Sequence, residues 1–302
     1  MEEPLKDSFR RVDVNTWLIG PLILRCSSGY SDTSTWFDPF YELSFTITDA
    51  PIPPPPSAPI TLDDSIIRLV YDAGDSSAVW ALGSCTFCKV KLCVENTTPE
   101  STTLAFVHKQ QPSFKLPTIF YQAQFNGRSY LFLSRVTGRT LADAWPTLDK
   151  KWRCHYVNTL VDICESLAAY KSSMIGGVDG QHIPESYLIP NGTVENFNPQ
   201  NLLEGCRTMG MDCSEFVFYH ADLGPGNIIV EETPTTGMVG IIDWELAGFF
   251  PRGWIRTKFR ISRGLNLPES VEDPHWWRSE AQKLLGERGF EDFTQEWVNW
   301  WY

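Results

Sequence analysis

The chain has 302 residues, 42% hydrophobic and 13% aromatic with twelve Trp, which suits a two-lobed domain with a substantial core and excludes a disordered or fibrous polymer. Its formal net charge of −12 would repel a phosphate backbone, and the longest basic cluster is only Lys150, Lys151 and Arg153, so nucleic-acid binding is not expected. The eight cysteines are irregularly spaced, the N-terminus MEEPLKDSFRR carries no secretory pattern, and Trp17 to Leu24 is far shorter than the roughly 20 residues of a membrane span, so reduced thiols, a cytoplasmic location and no membrane partner are expected.

Residues 1–60 contain few periodic segments and end in Pro51-Ile52-Pro53-Pro54-Pro55-Pro56, so they read as an N-terminal extension or spacer. The character changes after residue 61. Ile66 to Tyr71 and Ala78 to Leu82 are apolar-rich strands around the turn Asp72 to Ser77, and Phe87 to Leu92 is a third strand. Cys85 and Cys88 with nearby Cys93 are read as strand cysteines, because no second pair or His stands at zinc-ligand spacing. Pro99 and Glu100 open a short helix reaching His108, since proline and an acid both favour a first turn. Thr118 to Gln122 and Tyr130 to Leu133 complete a five-stranded antiparallel sheet with one helix, giving an N-lobe over 61–135.

The remainder, 136–302, reads as a mainly helical C-lobe. Trp152, Tyr156, Leu160, Ile163, Leu167 and Tyr170 recur at spacings of three and four and mark a helix over 150–171. A second helix is expected from Pro199 to Met209, then short strands at Phe216–Tyr219, Ile228–Val230 and Val239–Ile242, and a helical Trp-rich tail from Trp276 to Trp301.

The most informative stretch joins the first two of those strands: His220-Ala221-Asp222-Leu223-Gly224-Pro225-Gly226-Asn227. Phosphoryl transfer requires a carboxylate that orients a hydroxyl and accepts its proton, with an amide oxygen close enough to help hold Mg²⁺. Asp222 fits the first role and Asn227, five positions later, the second, with Gly224, Pro225 and Gly226 expected to let the loop turn tightly. His220 is expected to brace the loop by hydrogen bonds. Gly240-Ile241-Ile242-Asp243-Trp244-Glu245 then ends a buried strand in an acid, where a second Mg²⁺ ligand is needed. Glu245 either reaches the same metal or binds neighbouring backbone.

His-x-Asp-Leu-x-x-x-Asn followed by Ile-Ile-Asp-Trp-Glu resembles the aminoglycoside-phosphotransferase and choline-kinase-like branch of the protein-kinase superfamily, with the uncharacterised fungal members most similar. The likeness extends from about residue 66 to 260, through Arg135-Val136-Thr137-Gly138-Arg139-Thr140-Leu141 and Ala247-Gly248-Phe249-Phe250-Pro251. It implies an α+β, bilobal kinase-like fold, ATP and Mg²⁺ as cofactors, and O-phosphorylation of a small-molecule alcohol. It also implies a strand lysine on the α- and β-phosphates, backed by a helix carboxylate, and Lys89 with Glu100 are the choices. Lys91 lies on the same face of that strand and remains the alternative. The turn Asp72 to Ser77 has one glycine, so phosphate contact there would fall to Ser76, Ser77 and backbone N–H groups. Arg252, Arg256 and Lys258 would recognise an acidic substrate group or cap the last helices. A protein acceptor is disfavoured because Trp-Glu rather than Phe-Gly follows Asp243. Two other readings stay open: a pseudokinase-like nucleotide-binding module, and phosphorylation coupled to elimination, which product mass would reveal.

Overall fold

A computed structural model of the chain describes residues 4–61, 64–74, 76–190 and 196–302. The chain divides into two units, Met1–Glu95 with Pro117–Arg135, and Asn96–Leu116 with Val136–Tyr302.

In the first unit the expected spacer is overturned. Strands β1 (Phe9–Asp13), β2 (Thr16–Ile19), β3 (Leu22–Ser28), β4 (Trp36–Asp38), β5 (Leu43–Asp49) and β6 (Ala58–Pro59) form an antiparallel sheet in the order β4-β5-β3-β2-β1-β6. Side chains alternate across a strand, so Trp17 and Ile19 of β2, and Phe45 and Ile47 of β5, turn to one side and are buried. The strands bury between none (β6) and four (β3) residues, a weak signal beside the proline cluster, which lies in the largely exposed connection from β5 to β6.

The second sheet is the five-stranded antiparallel one expected: β7 (Ile67–Asp72), β8 (Ser77–Leu82), β9 (Thr86–Leu92), β10 (Ile119–Phe125) and β11 (Arg128–Ser134), in the order β10-β11-β9-β8-β7. Asp75, in the turn before β8, lies outside the described residues. The two sheets share a core in which Phe9, Trp17, Trp36 and Phe45 meet Trp80, Val90, Tyr130 and Phe132. Trp36 stacks 4.9 Å from Phe45 and 5.8 Å from Phe120. Asp38, fully buried, pins the sheets together: its carboxylate accepts from Ser84 N (2.5 Å), Ser84 Oγ (2.7 Å), Phe40 N (3.0 Å) and Tyr41 N (3.2 Å).

The second unit gathers α1 (Glu100–Lys109), α2 (Leu141–Ala144), α3 (Lys150–Leu167), α4 (Pro199–Thr208), α5 (Arg252–Ile261), α6 (Trp276–Glu287) and α7 (Thr294–Trp301). It also holds two three-stranded sheets, β12 (Arg139–Thr140), β15 (Ile228–Val230) and β16 (Val239–Ile241), and β13 (Lys171–Ser172), β14 (Phe216–Tyr219) and β17 (Gly248–Phe250). The helix at Glu100 therefore departs from the expected N-lobe, because its Phe106 packs among Tyr170, Phe218 and Phe249 at 6.2, 5.0 and 5.9 Å. Helix α3 is N-capped by Asp149, which accepts from Trp152 N at 2.9 Å, and buries Tyr156, Leu160, Ile163 and Leu167. The Trp-rich tail is held by indole donors: Trp277 Nε1 to Leu265 O (2.6 Å) and Trp297 Nε1 to Tyr187 O (2.7 Å). Among the described residues no helix is long and apolar enough to cross a membrane. All eight cysteines are free thiols.

Burial pushes the Asp38 carboxyl up, but its Ser84, Tyr41 and Phe40 donors outweigh that and hold it below the usual carboxylate range. A lowered folded value contributes stability above the unfolded carboxylate value of about 4, and that contribution is lost as pH falls through the folded value. Asp38→Ala should cost about 3 kcal/mol at neutral pH, by leaving buried donors without an acceptor. Urea unfolding should show this deficit narrowing below about pH 4.

Candidate active site

Antiparallel pairing sets the geometry of the loop 220–227. β14 pairs with β17 and β15 with β16, with Ile228 opposite Ile241, so the segment after β16 lies beside the end of the loop, where Ile242 N donates to Asn227 O at 3.0 Å. His220, fully buried, ties the other end: its Nε2 donates to Ile242 O (3.0 Å) and its Nδ1 accepts from Asp222 N (3.3 Å). A backbone carbonyl only accepts and an N–H only donates, so these contacts fix the neutral tautomer. The imidazole edge meets buried Trp244 at 4.6 Å.

Asp222 and Asn227 are brought into contact. Asn227 Nδ2 donates to Asp222 O and to Asp222 Oδ2, both at 2.9 Å. Two acceptors around one nitrogen fix the amide's orientation, leaving Oδ1 as its ligand atom. The tight turn is made differently from expectation. The left-handed residue is Ala221, at φ 64°, whereas neither Gly224 nor Gly226 has a positive φ. Gly224 serves close approach instead, since a Cβ there would stand 3.0 Å from Gly264 O. Asp243 is also left-handed, at φ 64° and ψ 66°. Ala221, next to Asp222, and Asp243 itself thus both occupy this sparsely populated region, backbone strain of the kind that clusters at functional sites.

The acids gather further. Glu100, at the start of α1, accepts from Trp244 N at 3.1 Å, and Glu100, Asp243 and Glu245 each offer an oxygen within 4.8 Å of the others. Three hard oxygen donors suit a divalent cation such as Mg²⁺ better than a thiophilic metal. Burial raises Asp222 above the usual carboxylate range, opposed by Lys258 and the Asn227 hydrogen bond and reinforced by Glu185 and Glu245. Lys258 and Glu185 form a buried ion pair that the sequence did not announce as such. Lys258 stands among Trp254, Ile255 and Phe259 on the buried face of α5, and a lone cation on an apolar stripe was the available signal. Arg252 and Arg256 act as braces: Arg252 lies 3.7 Å from the Phe290 ring centre and Arg256 donates to Phe290 O at 3.1 Å.

Lys89, Ser76 and Ser77 belong to the other unit. Lys89 is half-buried on β9 between Val79 and Leu131, and Lys91, on the same face, pairs in register with Ser77. Ser76 is exposed and donates to Ala73 O at 3.0 Å, whereas Ser77 is buried at the start of β8. Beside the loop, within the second unit, a cavity of about 680 Å³ is lined by Pro225 and Gly226 with Ala142, Arg263, Leu267 and His275.

No family model matches the chain, and no curated protein matches it. Solved structures do. An aminoglycoside phosphotransferase, APH(3'')-Id from Streptomyces rimosus, is 14% identical over 78% of this chain and 92% of its own, with a TM-score of 0.51. The streptomycin–ATP complex of APH(2'')-IIa is 14% identical over 79% of this chain and 87% of its own, with a TM-score of 0.48. An aminoglycoside-3'-phosphotransferase of type VIII is 14% identical over 76% and 91%, with a TM-score of 0.47. These neighbours are aminoglycoside phosphotransferases, and the likeness to the first of them shows an α+β kinase-like fold.

His220→Ala would strand the Ile242 carbonyl and the Asp222 N–H and leave a void against Trp244. Denaturant unfolding should register a loss of about 3 kcal/mol.

Proposed function

We propose that this protein is an ATP- and Mg²⁺-dependent phosphotransferase that phosphorylates a hydroxyl of a small molecule. The observation that carries the reading is the contact of Asn227 with Asp222, in a loop bonded to the strand end that delivers Asp243. The kinase-like fold supports it. The finer placement, with choline-kinase-like enzymes and fungal members of secondary-metabolite pathways, rests on His220-x-Asp222-Leu223-x-x-x-Asn227 and Ile241-Ile242-Asp243-Trp244-Glu245.

In this reading Asp222 orients the acceptor hydroxyl and takes its proton as that oxygen bonds to the γ-phosphorus of ATP and the bond from phosphorus to the β–γ bridging oxygen breaks, ADP leaving with the electron pair. A desolvated carboxylate with one oxygen held by Asn227 cannot turn away, which gives the attacking oxygen a fixed approach. Asn227 Oδ1 and Asp243 would hold Mg²⁺, which when bound neutralises charge on the β- and γ-phosphates. Glu245, close to Asp243, is available to the same ion. Lys89 and Glu100, with Ser76 and Ser77, keep the nucleotide-binding roles expected of them as part of this proposal. The acceptor would enter from the cavity beside Pro225 and Gly226. Its wall carries both Arg263 and Glu269, with Asn266 and His275 as polar groups able to hydrogen-bond an alcohol.

Asp222→Ala should lower ATP-dependent phosphoryl transfer about 10²–10⁴-fold, scored against water and a panel of small alcohols, while Mg-ATP affinity stays within a few-fold. Unchanged turnover would remove Asp222 from the chemistry.

A further inference from the structure

The residues just before α1 are gripped by the segment between β13 and β14. Thr98 N donates to His182 O (3.1 Å), His182 N donates to Asn96 O (2.7 Å), and the buried Thr98 hydroxyl donates to Asp179 Oδ1 (2.6 Å). The same Asp179 oxygen accepts from Gln181 N (3.1 Å), which closes the turn on which it stands. The approach is so close that a Cβ at Gly177 would run into the Thr98 side chain, so glycine is needed there. This segment is fixed in turn to β17, because Gly176 N donates to Phe249 O (3.1 Å) and Phe249 N to Gly176 O (2.8 Å).

Two residues after Thr98 comes Glu100, in the first turn of α1. Its carboxylate accepts the N–H of Trp244, the residue that follows Asp243. Asp243 lies in left-handed backbone, which holds only where its surroundings support it. Pro99 stands at the N-cap of α1 and has no side-chain acceptor, so the helix start is held from outside, through Thr98. Phe106 secures the other end among Phe218 and Phe249. The line from Asp179 through Thr98 and Glu100 to Trp244 therefore runs within the second unit by hydrogen bonds and one helical turn.

We propose that Thr98 and Asp179 are positioning residues for Asp243: their hydrogen bond locks the first turn of α1, so that Glu100 meets the Trp244 N–H and the Asp243 carboxylate is set before nucleotide arrives. The proposal rests on the phosphotransferase reading. A carboxylate already in place does not have to be ordered on binding, which favours affinity. Loosening the latch lets Glu100 leave Trp244, so its cost falls on Mg-nucleotide binding.

The test compares the full-length wild type with Thr98→Val, which keeps the side-chain shape but loses the donor, Thr98→Ser, which keeps the donor, and Asp179→Ala. Two quantities are read: hydrogen exchange of the Trp244 amide without nucleotide or metal, and Mg-ATP affinity by calorimetry. Thr98→Val and Asp179→Ala should exchange that amide about fivefold faster and bind Mg-ATP about fivefold more weakly, the scale of one lost hydrogen bond, while Thr98→Ser matches the wild type in both. Asp179 is exposed on its turn, so its variant carries the test if Thr98→Val does not fold. A folded Thr98→Val or Asp179→Ala with wild-type exchange would overturn the proposal. So would faster exchange with unchanged Mg-ATP affinity, or a serine variant as loose as the valine one. A wild type that binds no Mg-ATP would instead count against the phosphotransferase reading, and the exchange comparison would still decide whether the latch orders Trp244.

Discussion

One imidazole holds the site together. His220 donates to the carbonyl of Ile242 and accepts from the N–H of Asp222, so a single buried ring spans the loop that carries one acid and the strand end that carries the other. Both contacts are needed because each acid follows or occupies a left-handed residue, Ala221 in one case and Asp243 itself in the other. Such backbone persists only where its surroundings over-determine it. Here Trp244 closes on the ring, its own Nε1 donates to Ile241 O at 3.1 Å, and its N–H is taken by Glu100. The position of Glu100 therefore follows from the same knot.

The aromatic packing behind this knot explains why α1 groups with the second unit. Phe106 sits between β14 and β17 through Phe218 and Phe249, and Phe218 stacks on Trp244. A helix anchored in this way delivers its first residue, Glu100, to the segment after β16. Helix α5 also packs on β14 and presents an apolar stripe interrupted by Lys258. A cation on that stripe is tolerated because Glu185 meets it with both oxygens and two aromatic rings flank it.

Much of this was legible in the residues. Helix starts in the second unit were readable, because Pro199, Asn198 and Asp149 are strong start signals, and β14 to β16 are continuous apolar runs bounded by turns, whereas α3 ends at Leu167 before the expected 171 and the Trp-rich tail is two helices. The contact of Asp222 with Asn227 was implied by their spacing. The six-stranded sheet before residue 60 was not legible, since β4 and β6 are three and two residues long, and Trp36, which pairs with Phe45, is covered by Phe120 and Phe132 of the other sheet, far later in the chain. Nor was the Glu185 partner of Lys258, because 73 positions separate them and no local pattern links the two. The glycines of the loop misled for a physical reason: a glycine signals either a special φ or a close approach, and at Gly224 it was the second.

The central claim is that Asn227 and Asp243 complete a Mg²⁺-nucleotide site around Asp222, and binding can be measured without knowing the acceptor. Calorimetric titration of ATP into the wild-type protein and into Asp243→Ala, each with and without Mg²⁺, is the most direct test. The account requires ATP binding that depends on Mg²⁺ in the wild type and is weakened at least tenfold in the variant. Binding that is absent from both proteins, or equal in both and indifferent to Mg²⁺, would contradict it.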